Sequence, residues 1–138
     1  MSAAMDREIY LGACVTLLAA LLYMFMGARV GILRGRHDVK APATGGHPLF
    51  ERAYRVHLNT AEQYIAFLPL LWLATALFHV VYWLPTAFGT LFLLARIVYM
   101  RLYMRAPESR LPGAFLTLFS NLGLAVLAAI GLAQAWPW

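Results

Sequence analysis

The sequence predicts an all-α integral membrane protein, a single domain folded as a four-transmembrane-helix bundle. Three observations predict it. Hydrophobic residues make up 62% of the 138 and charged residues 12%, about half the charged share of an ordinary soluble domain. The apolar residues gather into four long runs, each near the ~20 residues that cross a bilayer as a helix. The basic residues, all except Arg7, fall in or beside the first and third connections between those runs.

The first predicted span covers 9–28, from Ile9 to Ala28, without a charge. A signal peptide fits poorly, because Asp6 and Glu8 precede the run where a basic segment is required. Positive charge follows it, at Arg29, Arg34 and Arg36. Gly31 to Leu49 reads as a loop, broken by Gly35, Pro42, Gly45, Gly46 and Pro48. Gly27 and Gly31 have the spacing of a helix-packing pair but read as a fraying terminus at the end of the span. The second span covers about 50–81 and contains Pro69, expected to kink it. His79 to Pro85 forms an external turn with Tyr82 and Trp83 at interface depth. The third span opens near Pro85 and covers 86–104, and the fourth covers 113–135 after a short turn bracketed by Pro107 and Pro112. Asn121 reads as an interhelical hydrogen bond. Cys14 is the only cysteine, which excludes an intrachain disulfide, and reads as a buried small apolar residue.

Four spans place both termini on one side, and the positive-inside rule places the first and third connections in the cytoplasm. A net charge of +5 then writes topology, which sets nucleic-acid binding aside. The histidines His37, His47, His57 and His79 lack helical ligand spacing and a cysteine partner, so no metal site is expected.

The stretch that lipid cannot accommodate is FERAYRVHLNTAEQ, beginning at Phe50. Arg52, Arg55, Asn59 and Glu62 fall within an arc of about 80° on a helix, and lipid exposure of that stripe would cost several kcal/mol. The stripe must face protein or a water-filled cavity. Arg96, Tyr99 and Tyr103 repeat the spacing on the third helix. Arg29, Arg101, Arg105 and Arg110 lie near the same end, with His57. A basic girdle meeting lipid phosphates accounts for Arg34, Arg36, Lys40 and Arg101. It does not account for Asn59 and Glu62, which lie deeper, and a buried Glu62 would need a cation such as Arg55 or a ligand ammonium. A ligand with two carboxylates, an ammonium and several amides would satisfy the set. Glutathione, a lipid headgroup and a peptide all meet that description.

The pattern E-R-x-x-R-x-x-x-N-x-x-E, met by Glu51, Arg52, Arg55, Asn59 and Glu62, resembles the second-helix signature of the MAPEG family, the membrane-associated proteins of eicosanoid and glutathione metabolism. RIVYMRLYMRAPESRLPG resembles the family's third-helix segment, and VKAPATGGHPLFER the loop of its bacterial microsomal glutathione transferases. The resemblance implies a homotrimer that binds glutathione between neighbouring subunits near the cytoplasmic face of a bacterial inner membrane. The glutathione residues would be Arg29 (from the adjacent subunit), Arg52, Arg55, His57, Asn59, Glu62, Tyr99, Tyr103 and Arg110. Arg110 falls on the position assigned to thiol activation, with Tyr103 or Tyr99 as the supporting donor. Gln63 stands where the leukotriene branch has tyrosine, and Tyr99 where the prostaglandin E synthase branch has histidine. These departures favour a general, detoxifying transferase that joins glutathione to a lipophilic electrophile arriving from the membrane lipids, with glutathione-dependent peroxidase activity as a companion. A non-catalytic lipid-binding scaffold is the alternative, and the arginine at position 110 argues for the enzyme. A transporter is disfavoured, because the charges gather at one end and the spans show no repeat symmetry.

Overall fold

The computed structural model describes residues 3–137. It contains four long helices, α1 (Ala3–Arg36), α2 (Pro48–Leu77), α3 (Leu84–Arg105) and α4 (Leu111–Ala135), with a single 3-10 turn at Pro107–Arg110 leading into α4. No strand occurs among the described residues. Three stretches, Arg7–Arg36, Leu84–Arg105 and Pro107–Ala135, are long and apolar enough to cross a membrane. At 30 residues α2 is about 45 Å long. Its polar first half excludes it from that set by composition.

The helices pack through two layers of contact. In the apolar half Phe67 of α2 stacks on Phe92 of α3 with ring centroids 3.7 Å apart. Val15, Leu71, Ala74, Leu124 and Leu127 close around that pair. Such rings and branched chains interlock at near-crystalline density, which is why the core is continuous across all four helices. Two polar side chains bridge helices within it: Tyr64 donates to Ala19 O at 2.7 Å and Ser120 to Phe88 O at 2.6 Å. At the far end Glu8 is buried and accepts from Thr86 at the start of α3.

At the other end α3 and α4 come close enough that Gly113 has no room for a side chain. A Cβ there would lie 2.5 Å from the Tyr99 backbone. Glycine is required by that approach, and it sets the depth at which Tyr99 sits.

Several sequence expectations need correction. The loop expected from Gly31 is helical as far as Arg36. It is held by Arg34, which donates to Val39 O and Ala43 O and lies 4.6 Å above the Phe50 ring. Those contacts outweigh the weak helix propensity of Gly31 and Gly35. Gly27 is a packing position, since a Cβ there would meet His57 Nε2 at 3.2 Å, whereas Gly31 faces open space. Cys14 is exposed on the outer face of α1, because the buried face of that helix is set by Val15, Ala19 and Met26. α2 contains Pro69 and ends at Leu77, short of the expected boundary at 81, with Phe78 N–H bonded to Ala74 O at its cap. The interhelical bond expected of Asn121 is present, to Gln63 of α2 at 3.5 Å.

Candidate functional site

The first turns of α2 and the last turns of α3 bring the polar stripes together. His47 caps α2: its Nδ1 accepts from Leu49 N–H at 3.2 Å. Pro48 occupies the first helical turn, where a missing N–H costs nothing. Glu51 folds back to accept from Gly46 N–H at 2.8 Å. Arg52 then reaches across to the end of α3 and donates to Met104 O and Arg105 O at 3.2 and 3.1 Å. These carbonyls have no partners within the helix, so Arg52 locks the two stripes in register.

Arg96 is the centre of the arrangement. It is 1% exposed and lies with its guanidinium carbon 4.2 Å from the Tyr99 ring centroid. It donates to Asn59 Oδ1 at 3.0 Å, to Thr60 Oγ1 at 2.9 Å and to Thr117 Oγ1 at 3.5 Å. All three acceptors are neutral, and its Nε has no partner among the described residues. Asn59 passes the interaction on, donating through Nδ2 to Glu62 Oε2 at 3.2 Å. Glu62 in turn lies 3.8 Å from Arg55. The result is a relay from the buried Arg96 out to the half-exposed Arg55. Both Arg55 and Glu62 keep more than half their side-chain surface exposed, so the expectation of a buried Glu62 is corrected. The stripe turns Glu62 outward, Asn59 is half-buried, and Arg96 occupies the buried position.

Two cavities share this relay. The deeper one, of about 220 Å³, is lined by Asn59, Gln63, Arg96, Tyr99, Arg110 and Thr117, with Ala114 and Leu118 as its apolar wall. The outer one, of about 270 Å³, is lined by Pro48, Glu51, Arg52, Arg55, Tyr103 and Pro107. Tyr99 and Tyr103, whose ring centroids are 5.5 Å apart, stand between them. Each cavity alone is below the ~300 Å³ at which ligand pockets begin. Arg110 is exposed at the mouth of the deeper cavity, its one bond among the described residues a 3.5 Å contact to Pro107 O.

The structure therefore places Arg52, Arg55, Asn59, Tyr99, Tyr103 and Arg110 in the lining of the two cavities, with Glu62 bonded to Asn59 and facing Arg55 outside that lining. It places two expected residues elsewhere in the protomer. His57 stacks on Tyr23 of α1, with centroids 4.2 Å apart, and Arg29 donates to Met100 Sδ at 3.5 Å. Arg96 and Gln63 line the site although neither was singled out as a ligand residue. The signal for Arg96 was its place in the repeated spacing on the third helix.

The chain is 38% identical to an uncharacterized protein of Synechocystis over 128 residues, 91% of this chain and 90% of that protein. It is 36% identical to bovine leukotriene C4 synthase, across 93% of this chain and 84% of that one. Mouse microsomal glutathione S-transferase 2 is also 36% identical, across 88% of this chain and 82% of that one. The model of the MAPEG family matches residues 12–130. That range holds α2 and α3 whole, most of α1 and α4, and every residue of the two cavities, and the chain belongs to the MAPEG family.

Proposed function

We propose that this chain is a membrane-bound glutathione transferase that joins the glutathione sulfur to lipophilic electrophiles and also reduces lipid hydroperoxides. The observation that carries the proposal is the Arg96–Asn59–Glu62–Arg55 relay linking two cavities of complementary chemistry. The outer cavity offers Arg52 and Arg55, whose planar forks suit carboxylates, and Glu62 beside them suits an ammonium. The deeper cavity offers Arg96, Arg110 and the Tyr99 hydroxyl. A thiol of ordinary pKa near 8.5 is mostly protonated at neutral pH, and guanidinium groups beside it favour the thiolate. Glutathione has the groups that both cavities call for, and its relatives here include proteins named for glutathione transfer and leukotriene C4 synthesis.

Arg110 takes the activating role in this reading, because it stands exposed at the cavity mouth with its fork almost free of protein partners. Arg96 positions Asn59 and adds positive field from behind. The fourth crossing is made by α2, with the loops 37–47 and 106–110 toward the cytoplasm and both termini outside. Three copies assemble as a homotrimer, and a neighbour completes the outer cavity, which is shallow and open in one protomer. Arg29 and His57 then reach glutathione from the α1–α2 side of the adjacent subunit. The apolar groove between α1 and α3, lined by Leu18, Leu21, Leu22, Leu93, Leu94 and Ile97, meets the neighbouring subunit or the acyl chains through which the electrophile arrives.

Purified protein in detergent, given glutathione and a nitro-activated aryl chloride, should form the conjugate well above the uncatalysed rate. Background-level conjugation by protein that binds glutathione would leave the non-catalytic scaffold as the better reading.

A further inference from the structure

The loop between α1 and α2 holds two titratable side chains that the proposed chemistry leaves unused. His37, one residue past the end of α1, stacks face to face on His47, with ring centroids 3.4 Å apart and planes within 10° of parallel. Both rings are half-buried, and His37 Nε2 has no partner among the described residues. The stack closes a loop already pinned by Arg34, which donates to Val39 O and Ala43 O, and by Val39, which is buried with Phe50 and Ala53. From there the chain enters α2 directly. His47 Nδ1 accepts from Leu49 N–H at 3.2 Å, and Glu51 holds the neighbouring Gly46 N–H at 2.8 Å. Those same first turns supply Pro48, Glu51 and Arg52 to the wall of the outer cavity. The ring pair therefore fixes the end from which that wall begins.

The arrangement suits two neutral rings and opposes a proton on either. A proton on His47 Nδ1 would turn the cap acceptor into a donor facing Leu49 N–H. A proton on His37 would place a cation where Nε2 has no acceptor, beside Arg36. The elements that meet here carry Arg34 and Arg36 on α1, Asp38 and Lys40 in the loop, Glu51 and Arg52 on α2, and Arg105 at the end of α3. Cations outnumber carboxylates among them. Glu51 is committed to Gly46 N–H, and Asp38 is exposed to solvent, so little balances an added positive charge. Imidazole is the side chain that ordinarily changes charge between pH 5 and 8. Desolvation, then His47 and Arg36, hold the His37 pKa below its ordinary value.

We propose that the His37–His47 stack is a pH-sensitive latch on the outer cavity, shut while both rings are neutral and released when the pair takes up a proton. Release frees the cap and the first turn of α2, so Pro48, Glu51 and Arg52 lose their fixed places in the cavity wall. This regulation rests on the reading of that cavity as the glutathione carboxylate site. Glutathione binds the latched form better, so its affinity is full above the titration of the pair and falls as pH falls through it. Linkage is reciprocal: binding of glutathione lowers the pKa of the pair and expels protons from it.

The test is calorimetric titration of the detergent-solubilised protein with S-methylglutathione between pH 7 and 5, well below the melting temperature at each pH. The sulfur of this probe is blocked, and its carboxylates and ammonium keep their charge over that range. Wild type should bind it about five- to tenfold more weakly at pH 5 than at pH 7. At the midpoint of that change, titrations in buffers of different ionisation enthalpy should show release of about 0.4–0.5 of a proton per ligand. The variant His37→Phe/His47→Asn keeps a ring in the stack and a non-titrating cap acceptor. It should bind as wild type does at pH 7, with neither the acid weakening nor the proton release. His37→Phe alone, which leaves the cap as it is, should lose at least half of the weakening on a logarithmic scale. Wild-type affinity constant from pH 7 to 5 overturns the latch and leaves the glutathione site standing. So does a full acid slope in both variants, which would assign the titration to His57 or Glu62. Wild-type protein that does not bind the probe at pH 7 removes the glutathione reading and the latch together.

Discussion

The Arg96 guanidinium donates to Asn59 Oδ1 at 3.0 Å, and that bond decides which way the Asn59 amide faces. With its oxygen taken, Asn59 turns its NH₂ to Glu62. Of the four stripe residues, Arg55, Asn59 and Glu62 thus form one connected unit anchored on another helix, while Arg52 is tied separately to the end of that helix. Arg96→Lys keeps the charge but removes the fork that reaches Asn59, Thr60 and Thr117 together. The variant should bind glutathione at least about tenfold more weakly and unfold at lower temperature, since buried acceptors lose a charged donor worth ~1.5–3 kcal/mol each. Isothermal titration and a melting curve on detergent-solubilised protein check both effects. Unchanged values in both would remove Arg96 from its central place.

Direct contacts to the tripeptide should show the same scale without the stability cost. Arg55 and Glu62 are largely exposed, so Arg55→Ala should leave the melting temperature nearly as it was. Its affinity for glutathione should fall about tenfold or more, from the loss of a charge-assisted hydrogen bond. An Arg55→Ala protein that binds as wild type does would move the carboxylate site to Arg52 or to a neighbouring subunit.

Gly113 offers a purely steric test. A Cβ at that position would meet Tyr99 backbone atoms at 2.5 Å, and backbone does not yield as a flexible side chain does. Gly113→Ala should push α3 and α4 apart, cost roughly 1–3 kcal/mol as overpacking does, and displace Tyr99 from the cavity. Thermal unfolding reports the first effect and glutathione affinity the second. A melting temperature equal to wild type would show that the helices part freely.

The loop before α2 carries a pH dependence. His37 stacks on His47 with ring centroids 3.4 Å apart, and its Nε2 is buried without a partner among the described residues. Desolvation, then the nearby His47 and Arg36, hold its pKa below the ordinary value. A depressed histidine pKa means that the unfolded chain binds the proton more readily. Stability is therefore full above the unfolded value of about 6.5 and declines as pH falls through it. Protonating His37 would also set a cation against the His47 ring that caps α2. Melting temperature should drop between about pH 7 and 5, and His37→Phe, which keeps the stack without a charge, should flatten that drop. An identical acid slope in the variant would exclude His37 as its source.

Much of this architecture is legible in the residue pattern, for reasons the structure makes plain. Apolar run length identifies the helices because backbone groups in lipid must bond internally. The turn between α2 and α3 is marked by Pro85, which falls in the first turn of α3. Helix α1 outlasts its apolar run because Arg34 reaches forward to the loop carbonyls, a contact between residues that no local pattern announces. The outward turn of Glu62 was likewise hidden. An arc of four polar residues says that they share a face, and it does not say which of them touch the neighbouring helix. Arg96 settles that question, and its role depends on how α3 is rotated against α2 and α4, which is set by contacts such as Phe67 on Phe92 and Gly113 under Tyr99.

The account centres on the deeper cavity turning a bound thiol into a thiolate, with Arg110 as the group that does so. The direct measurement is the ultraviolet thiolate absorbance that appears when glutathione is added to the protein at neutral pH. Wild type should show it, with the bound thiol shifted below its ordinary pKa near 8.5. Arg110→Ala and Arg110→Lys should both lose most of the signal while still binding the tripeptide through Arg55, Asn59 and Glu62, because lysine keeps the charge without the planar fork. Their turnover should fall by roughly ten- to a thousandfold, equivalent to about 1.4–4 kcal/mol of transition-state stabilisation. A full thiolate signal in Arg110→Ala protein saturated with glutathione would contradict that assignment, and no thiolate signal in wild type would contradict the account as a whole.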